Sequence, residues 1–100
     1  MKKVITKKYS NGQLKYRKTY NDKNSYLEEY WYELGNLKER ANYKNYQLDG
    51  LYQTFYQNGQ RKERSNWKNG IKDGDVEEWT EAGLLLNSYT CQNGVPDRYY

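Results

Sequence analysis

Apolar and aromatic residues alternate with charged ones in short runs, and Asn, Asp and Gly cut those runs at regular intervals. Leu14 to Tyr20 reads Leu-Lys-Tyr-Arg-Lys-Thr-Tyr, and Leu37 to Tyr43 reads Leu-Lys-Glu-Arg-Ala-Asn-Tyr. Alternation with a period of two marks a strand with one face packed and one face wet. Seven residues is also an ordinary strand length. A helix competes poorly, because Asn, Gly and Tyr are weak helix formers and turn residues recur every ten to fourteen positions. The pattern predicts strands over 3–9, 13–20, 26–32, 36–43, 50–56, 60–67, 74–80 and 84–91, with 98–100 as the stub of a ninth.

The runs also repeat. Glycines stand at Gly12, Gly35, Gly59 and Gly83, at intervals of 23, 24 and 24. A second series is Asn45, Asn69 and Asn93, followed by Tyr46, Gly70 and Gly94. A third is Asp49-Gly50 and Asp73-Gly74, degraded to Asp97-Arg98. Asn-Gly and Asp-Gly are turn formers, since Gly and to a lesser extent Asn accept positive φ. Aromatic columns share the period: Tyr9, Tyr32, Tyr56; Trp31, Phe55, Trp79; Tyr20, Tyr43, Trp67. The expected fold is all-β, an antiparallel meander of stacked hairpins held by contacts between neighbouring units. It forms one domain over 1–100, of about four units of 23–24 residues. Residues 1–8 make an N-terminal edge strand and 98–100 a truncated last unit.

The stretch Trp67-Lys68-Asn69-Gly70-Ile71-Lys72-Asp73-Gly74-Asp75-Val76-Glu77-Glu78-Trp79-Thr80-Glu81-Ala82-Gly83 resembles a MORN repeat of the divergent bacterial kind. The unit before it, Tyr43 to Gly59, is similar through Leu48-Asp49-Gly50-Leu51-Tyr52 and Phe55-Tyr56-Gln57-Asn58-Gly59. The likeness runs over residues 9–100. It implies a single-layer repeat sheet or solenoid serving as a protein-binding or membrane-proximal scaffold, and bacterial relatives are often antitoxin components. Asp22-Lys23-Asn24-Ser25-Tyr26 and Arg98 depart from the pattern by lacking the turn glycines.

Alternation sorts side chains onto two faces. One is expected to pack, through Leu14, Tyr16, Tyr20; Leu37, Ala41, Tyr43; and Ser65, Trp67. The other carries Lys15, Arg17, Thr19; Lys38, Arg40, Asn42; and Lys62, Arg64, Asn66. If Trp31, Phe55 and Trp79 also pack inward, then Glu28, Tyr30 and Tyr32, Tyr52, Thr54 and Tyr56, and Val76, Glu78 and Thr80 stand among these cations. The candidate partner-binding residues are therefore Lys15, Arg17, Tyr32, Lys38, Arg40, Tyr56, Lys62 and Arg64. Guanidinium forks and tyrosine rings suit an anionic partner. A plainer account has the same stems covering aromatic rings, with their heads paired to Glu28 or Glu78.

Composition narrows the chemistry. Leu, Ile, Val and Phe total 15, yet 17 residues are aromatic, so the chain buries rings rather than aliphatic bulk. There is no His, which removes His-based triads and His metal sites. The lone Cys91 makes no internal disulfide and, in the column of Tyr43 and Trp67, is expected to be a packed thiol. Glu28-Glu29 and Glu77-Glu78 are strand neighbours pointing to opposite faces, unsuited to shared acid–base work. Asp73-Gly74-Asp75 is a turn without the further ligands of a calcium loop. No cofactor or enzymatic activity is expected.

Net charge is +4, with +7 on residues 1–24 and −3 on the rest. Lys2, Lys3, Lys7 and Lys8 suit an edge strand that resists pairing with other sheets. The basic start lacks the apolar run of a signal peptide, and no stretch approaches a membrane span, so a cytoplasmic protein is expected. The function expected is binding and neutralising a protein partner, such as a toxin or effector enzyme, by covering its surface. The alternatives are nucleic-acid or anionic-surface binding through the Lys/Arg/Tyr ladder, and a scaffold that forms a homodimer through a sheet edge.

Overall fold

The computed structural model describes residues 2–98. They form one sheet of nine strands: β1 (Val4–Lys8), β2 (Leu14–Tyr20), β3 (Ser25–Trp31), β4 (Leu37–Lys44), β5 (Gln47–Phe55), β6 (Arg61–Lys68), β7 (Ile71–Trp79), β8 (Leu85–Gln92) and β9 (Val95–Pro96). Strand order follows chain order and every neighbouring pair is antiparallel. The molecule measures 44 × 36 × 16 Å, so the sheet is one open layer and the all-β meander expected from the repeat is present. The ninth strand falls at Val95–Pro96 rather than at 98–100; Tyr99 and Tyr100 lie outside the described residues.

Two kinds of turn alternate, except between β2 and β3, where the Asp22 carboxylate accepts from the Asn24 and Ser25 amides and no residue has positive φ. At Asn45-Tyr46, Asn69-Gly70 and Asn93-Gly94 both residues have positive φ, the type I′ geometry whose twist matches that of paired strands. At the other end of each hairpin, Gly12, Gly35, Gly59 and Gly83 adopt φ of 89 to 109° after a tight turn in which their amides donate to Tyr9, Tyr32, Tyr56 and Thr80. Tyr46 is the exception in the first series. Its φ is 65° where the two later units place Gly, and a bulky residue is strained there. Tyr46 is 85% exposed. Tyr46→Gly is expected to raise stability by about 0.5–1 kcal/mol in denaturant unfolding, because relief of strain outweighs the added chain entropy.

The Asp-Gly pairs are not turns. Strands β5 and β7 begin three residues earlier than the pattern predicts, and Asp49-Gly50 and Asp73-Gly74 lie inside them. There the register shifts: Ala41 pairs with Tyr52 but Tyr43 with Leu48, and Ser65 with Val76 but Trp67 with Lys72. The surplus residues form a bulge on the longer strand, which bends it and increases its twist. Asn42 donates its side-chain amide to the Leu51 carbonyl and Asn66 to that of Asp75, satisfying acceptors that the bulge takes out of the ladder.

Units are also fastened side by side. Tyr9, Tyr32 and Tyr56 donate their hydroxyls to the carbonyls of Trp31, Phe55 and Trp79, at 2.7, 2.7 and 2.8 Å. Asn11, Asn36 and Asn58 donate to the carbonyls of Glu33, Gln57 and Glu81. The tyrosine column therefore ties each unit to the next, which is what a sheet without a second layer needs.

Candidate functional site

Strand register decides what each face presents, because residues directly opposite one another share a face. One row runs Arg17, Glu29, Arg40, Gln53, Arg64, Glu77, Ser88 from β2 to β8. The next runs Lys18, Glu28, Ala41, Tyr52, Ser65, Val76, Tyr89 on the opposite side. With it lie Tyr16, Tyr30, Glu39, Thr54, Glu63 and Glu78, and also Tyr20, Tyr26 and Tyr43. We call these the arginine face and the tyrosine face.

The arrangement corrects the expected company of the cations. Glu28, Tyr30, Tyr52, Thr54, Val76 and Glu78 do not stand among Arg17, Arg40 and Arg64 but on the other face. Trp31 and Trp79 lie with the guanidiniums: Arg17 sits 5.1 Å from the Trp31 ring centre and Arg61 4.2 Å from that of Trp79. The carboxylates that meet the arginines are Glu29 and Glu77, not Glu28 and Glu78. Glu29, 2% exposed, takes Arg17 at 2.8 Å and Arg40 at 2.9 Å, and Arg64 meets Glu77 at 3.3 Å. These are the three ion pairs among the described residues, and all lie on the arginine face.

The lysines part from the arginines. The register shifts just before each glycine turn, for example between Tyr30–Glu39 and Trp31–Leu37, so strict alternation fails at Lys15, Lys38 and Lys62. Lys15 lines a hollow with Tyr16, Lys18 and Tyr30. Lys62 and Tyr56 line another, of about 290 Å³, with Tyr52, Thr54, Glu63 and Glu78. The three ammonium groups lie 5.4 to 5.6 Å from the ring centres of Tyr9, Tyr32 and Tyr56. The eight candidate residues are thus not one surface. Arg17, Arg40 and Arg64 hold carboxylates on one side, Lys15 and Lys62 border the other, and the hydroxyls of Tyr32 and Tyr56 are engaged in joining units.

The tyrosine face is the denser one. Ala41, Ser65 and Val76 form its fully buried floor, with Tyr26 and the free Cys91 also buried. Tyr26 stacks on Tyr43 at 5.1 Å, Tyr16 leans on Tyr30 at 5.0 Å, and Tyr46 meets Tyr26 edge-on at 6.4 Å. The Tyr16 hydroxyl donates to Glu28 and that of Tyr52 to Glu39. Burial, followed by these carboxylates, holds both phenols well above the ordinary tyrosine range. Tyr30 and Tyr43 are shifted upward too, first by burial and then by Glu28 and Glu39. The Tyr16 and Tyr52 phenols therefore stay neutral donors at ordinary pH. Charge alternation in the sequence, matching Arg17 with Glu29 and Lys18 with Glu28, was the available signal for this register.

The carboxylate neighbours Glu28 and Glu29, and likewise Glu77 and Glu78, fall on opposite faces, as alternation requires. No helix of the described residues is long and apolar enough to cross a membrane. The family described as MORN repeat variant matches residues 4–22, 27–45 and 48–69, more than half of the chain. The matched segments stop short of β7 and β8, although the same pairing geometry continues through them. No curated protein and no solved structure matches the chain.

Proposed function

Since the chain belongs to the MORN repeat variant family, we propose that it is a non-enzymatic binding protein that covers part of the surface of a protein partner, in the manner of an inhibitor or antitoxin. The observation that carries this reading is the single layer: nine strands expose a broad, ordered face bearing Tyr16, Tyr30, Tyr43, Tyr46 and Tyr52, with nothing packed over it. Tyrosine on a rigid scaffold supplies large contact area at small entropic cost, which is why it is common at binding hot spots. Action in the cytoplasm, on a toxin or effector enzyme, belongs to the same proposal.

Nucleic acid is the weaker partner for this geometry. Phosphates would have to compete with Glu29 and Glu77 for the guanidiniums on one face, and meet Glu28, Glu39, Glu63 and Glu78 on the other. The test is affinity capture by the full chain in its native cells. A stoichiometric protein that stays bound as salt is raised supports the reading. Capture of nucleic acid that is released steeply with salt, or of no stoichiometric protein at all, overturns it. Arg17→Glu, Arg40→Glu and Arg64→Glu together are expected to weaken the fold by setting like charges beside Glu29. Partner capture by whatever fraction stays folded is expected to persist.

A further inference from the structure

On nine aromatic rings of this chain a lysine or arginine head lies within 5.7 Å of the ring centre: Tyr9, Tyr16, Tyr20, Tyr26, Tyr32, Tyr56, Trp31, Trp67 and Trp79. Tyr30, Tyr43, Tyr46, Tyr52, Phe55 and Tyr89 have none among the described residues, and of these Tyr43 and Tyr52 are immediate neighbours of Ala41 on the tyrosine face. Ala41 is 0% exposed. Its neighbours on the tyrosine face are Glu28 and Tyr52 across the strands, and Glu39 and Tyr43 two residues either way along β4. Neither Glu28 nor Glu39 is in an ion pair among the described residues.

The preceding unit shows what this place is missing. Lys18 occupies the position equivalent to Ala41, one unit of 23 residues earlier. Its ammonium lies 4.9 Å from the ring centre of Tyr20 and 4.0 Å from that of Tyr26. Tyr43 is the equivalent of Tyr20, but Ala41 ends at Cβ and brings no charge to it. The second unit therefore keeps the rings and the carboxylates without a cation of its own between them; Lys18 stands across from Glu28, on the side away from Glu39 and Tyr52. Burial and then Glu28 and Glu39 push the phenols of Tyr30 and Tyr43 upward, with Lys18 opposing them at Tyr30, and burial and then Glu39 and Glu63 push that of Tyr52 upward. Tyr46, exposed and held at positive φ, stands at the rim beside Tyr26.

We propose that the surface around Ala41, formed by Glu28, Glu39, Tyr43 and Tyr52 with Tyr46 at its rim, receives a lysine or arginine side chain from a protein partner. The inference rests on the binding role proposed above and supplies the chemistry of the contact. A cation placed over a tyrosine ring and next to a carboxylate gains from both at once. The charge balance also directs a basic segment away from residues 1–24, which carry +7, and toward the remainder, which carries −3.

The probe is a synthetic decapeptide of alternating lysine and glycine, titrated into the isotopically labelled full chain and followed by amide shifts. Shifts centred on residues 39, 41, 43, 46 and 52 are expected, with no comparable response to a glutamate–glycine decapeptide. Glu28→Gln with Glu39→Gln keeps the acceptors for Tyr16 and Tyr52 while removing both charges, and is expected to weaken the peptide by about fivefold to tenfold. Tyr46→Gly, which relieves strain and so remains folded, is expected to weaken it by about threefold. Shifts centred on the arginine face, or an affinity unchanged in both variants, overturn the assignment. Should the partner found by capture bind the double glutamine variant as tightly as the parent chain, the binding role stands and this contact falls. Should the peptide bind as described while capture yields no protein, the contact stands and the partner-covering role falls.

Discussion

Gly74→Ala is expected to lower stability by about 3 kcal/mol, read as a fall in the denaturant midpoint with little change in slope. Two causes act together. Gly74 has φ of 116°, where a side chain is strained, and a Cβ built there would stand 3.0 Å from the Cβ of Asn66. Asn66 has little room to move, because its amide serves the Asp75 carbonyl at the bulge. Gly50 is the internal control. Its φ is 106° but its nearest neighbour, the Asn42 Cβ, would be at 3.4 Å, an ordinary contact. Gly50→Ala should therefore show the strain without the clash, at about 1–2 kcal/mol. Equal losses at the two sites would mean that the bulge is not packed as described.

Glu29→Ala is expected to cost about 2–3 kcal/mol. Glu29 is buried and accepts hydrogen bonds from both Arg17 and Arg40, so its removal leaves two guanidiniums facing each other over a void. Both arginines keep contact with water, which holds the loss below that of a fully buried ion pair. Glu77→Ala breaks only the longer, more exposed pair with Arg64, and a loss below about 1 kcal/mol is expected. Thermal unfolding of the two variants side by side checks the contrast; a Glu77 variant as damaged as the Glu29 variant would contradict it.

The architecture was legible because the repeat made it so. Gly12, Gly35, Gly59 and Gly83 mark one turn of each unit and Asn45, Asn69 and Asn93 the other, and the strands between them lie close to where the period puts them. Asp49-Gly50 and Asp73-Gly74 misled, since a bulge and a turn call for the same residues: both need a backbone at positive φ. Local propensity does not say whether the chain then reverses or continues, which depends on the pairing with Asn42 and Asn66 across the strand.

The site was less legible, for a related reason. Counting by twos put Lys15 with Arg17, Lys38 with Arg40 and Lys62 with Arg64. A register shift before each glycine turn separates these pairs, and one shifted residue exchanges the faces of everything beyond it. The same ambiguity hid the partners of the arginines, since Glu28 and Glu29 are neighbours and either could be matched to a cation across β2. The surface around Ala41 had no signal of its own in the sequence. It emerges only when β3, β4 and β5 are laid side by side and the cation that Lys18 supplies to one unit is found absent from the next.

Labelling of carboxylates in the free chain, read residue by residue, tests the two-faced sheet most directly. Glu28 and Glu29 are adjacent in sequence, so any difference between them reports which face each occupies and what holds it there. Rapid modification of Glu28 and Glu39 with Glu29 almost unreacted, shielded beneath Arg17 and Arg40, is the predicted result. Modification of Glu29 as fast as Glu28 would contradict it, and the separation of a paired arginine face from an open tyrosine face would go with it.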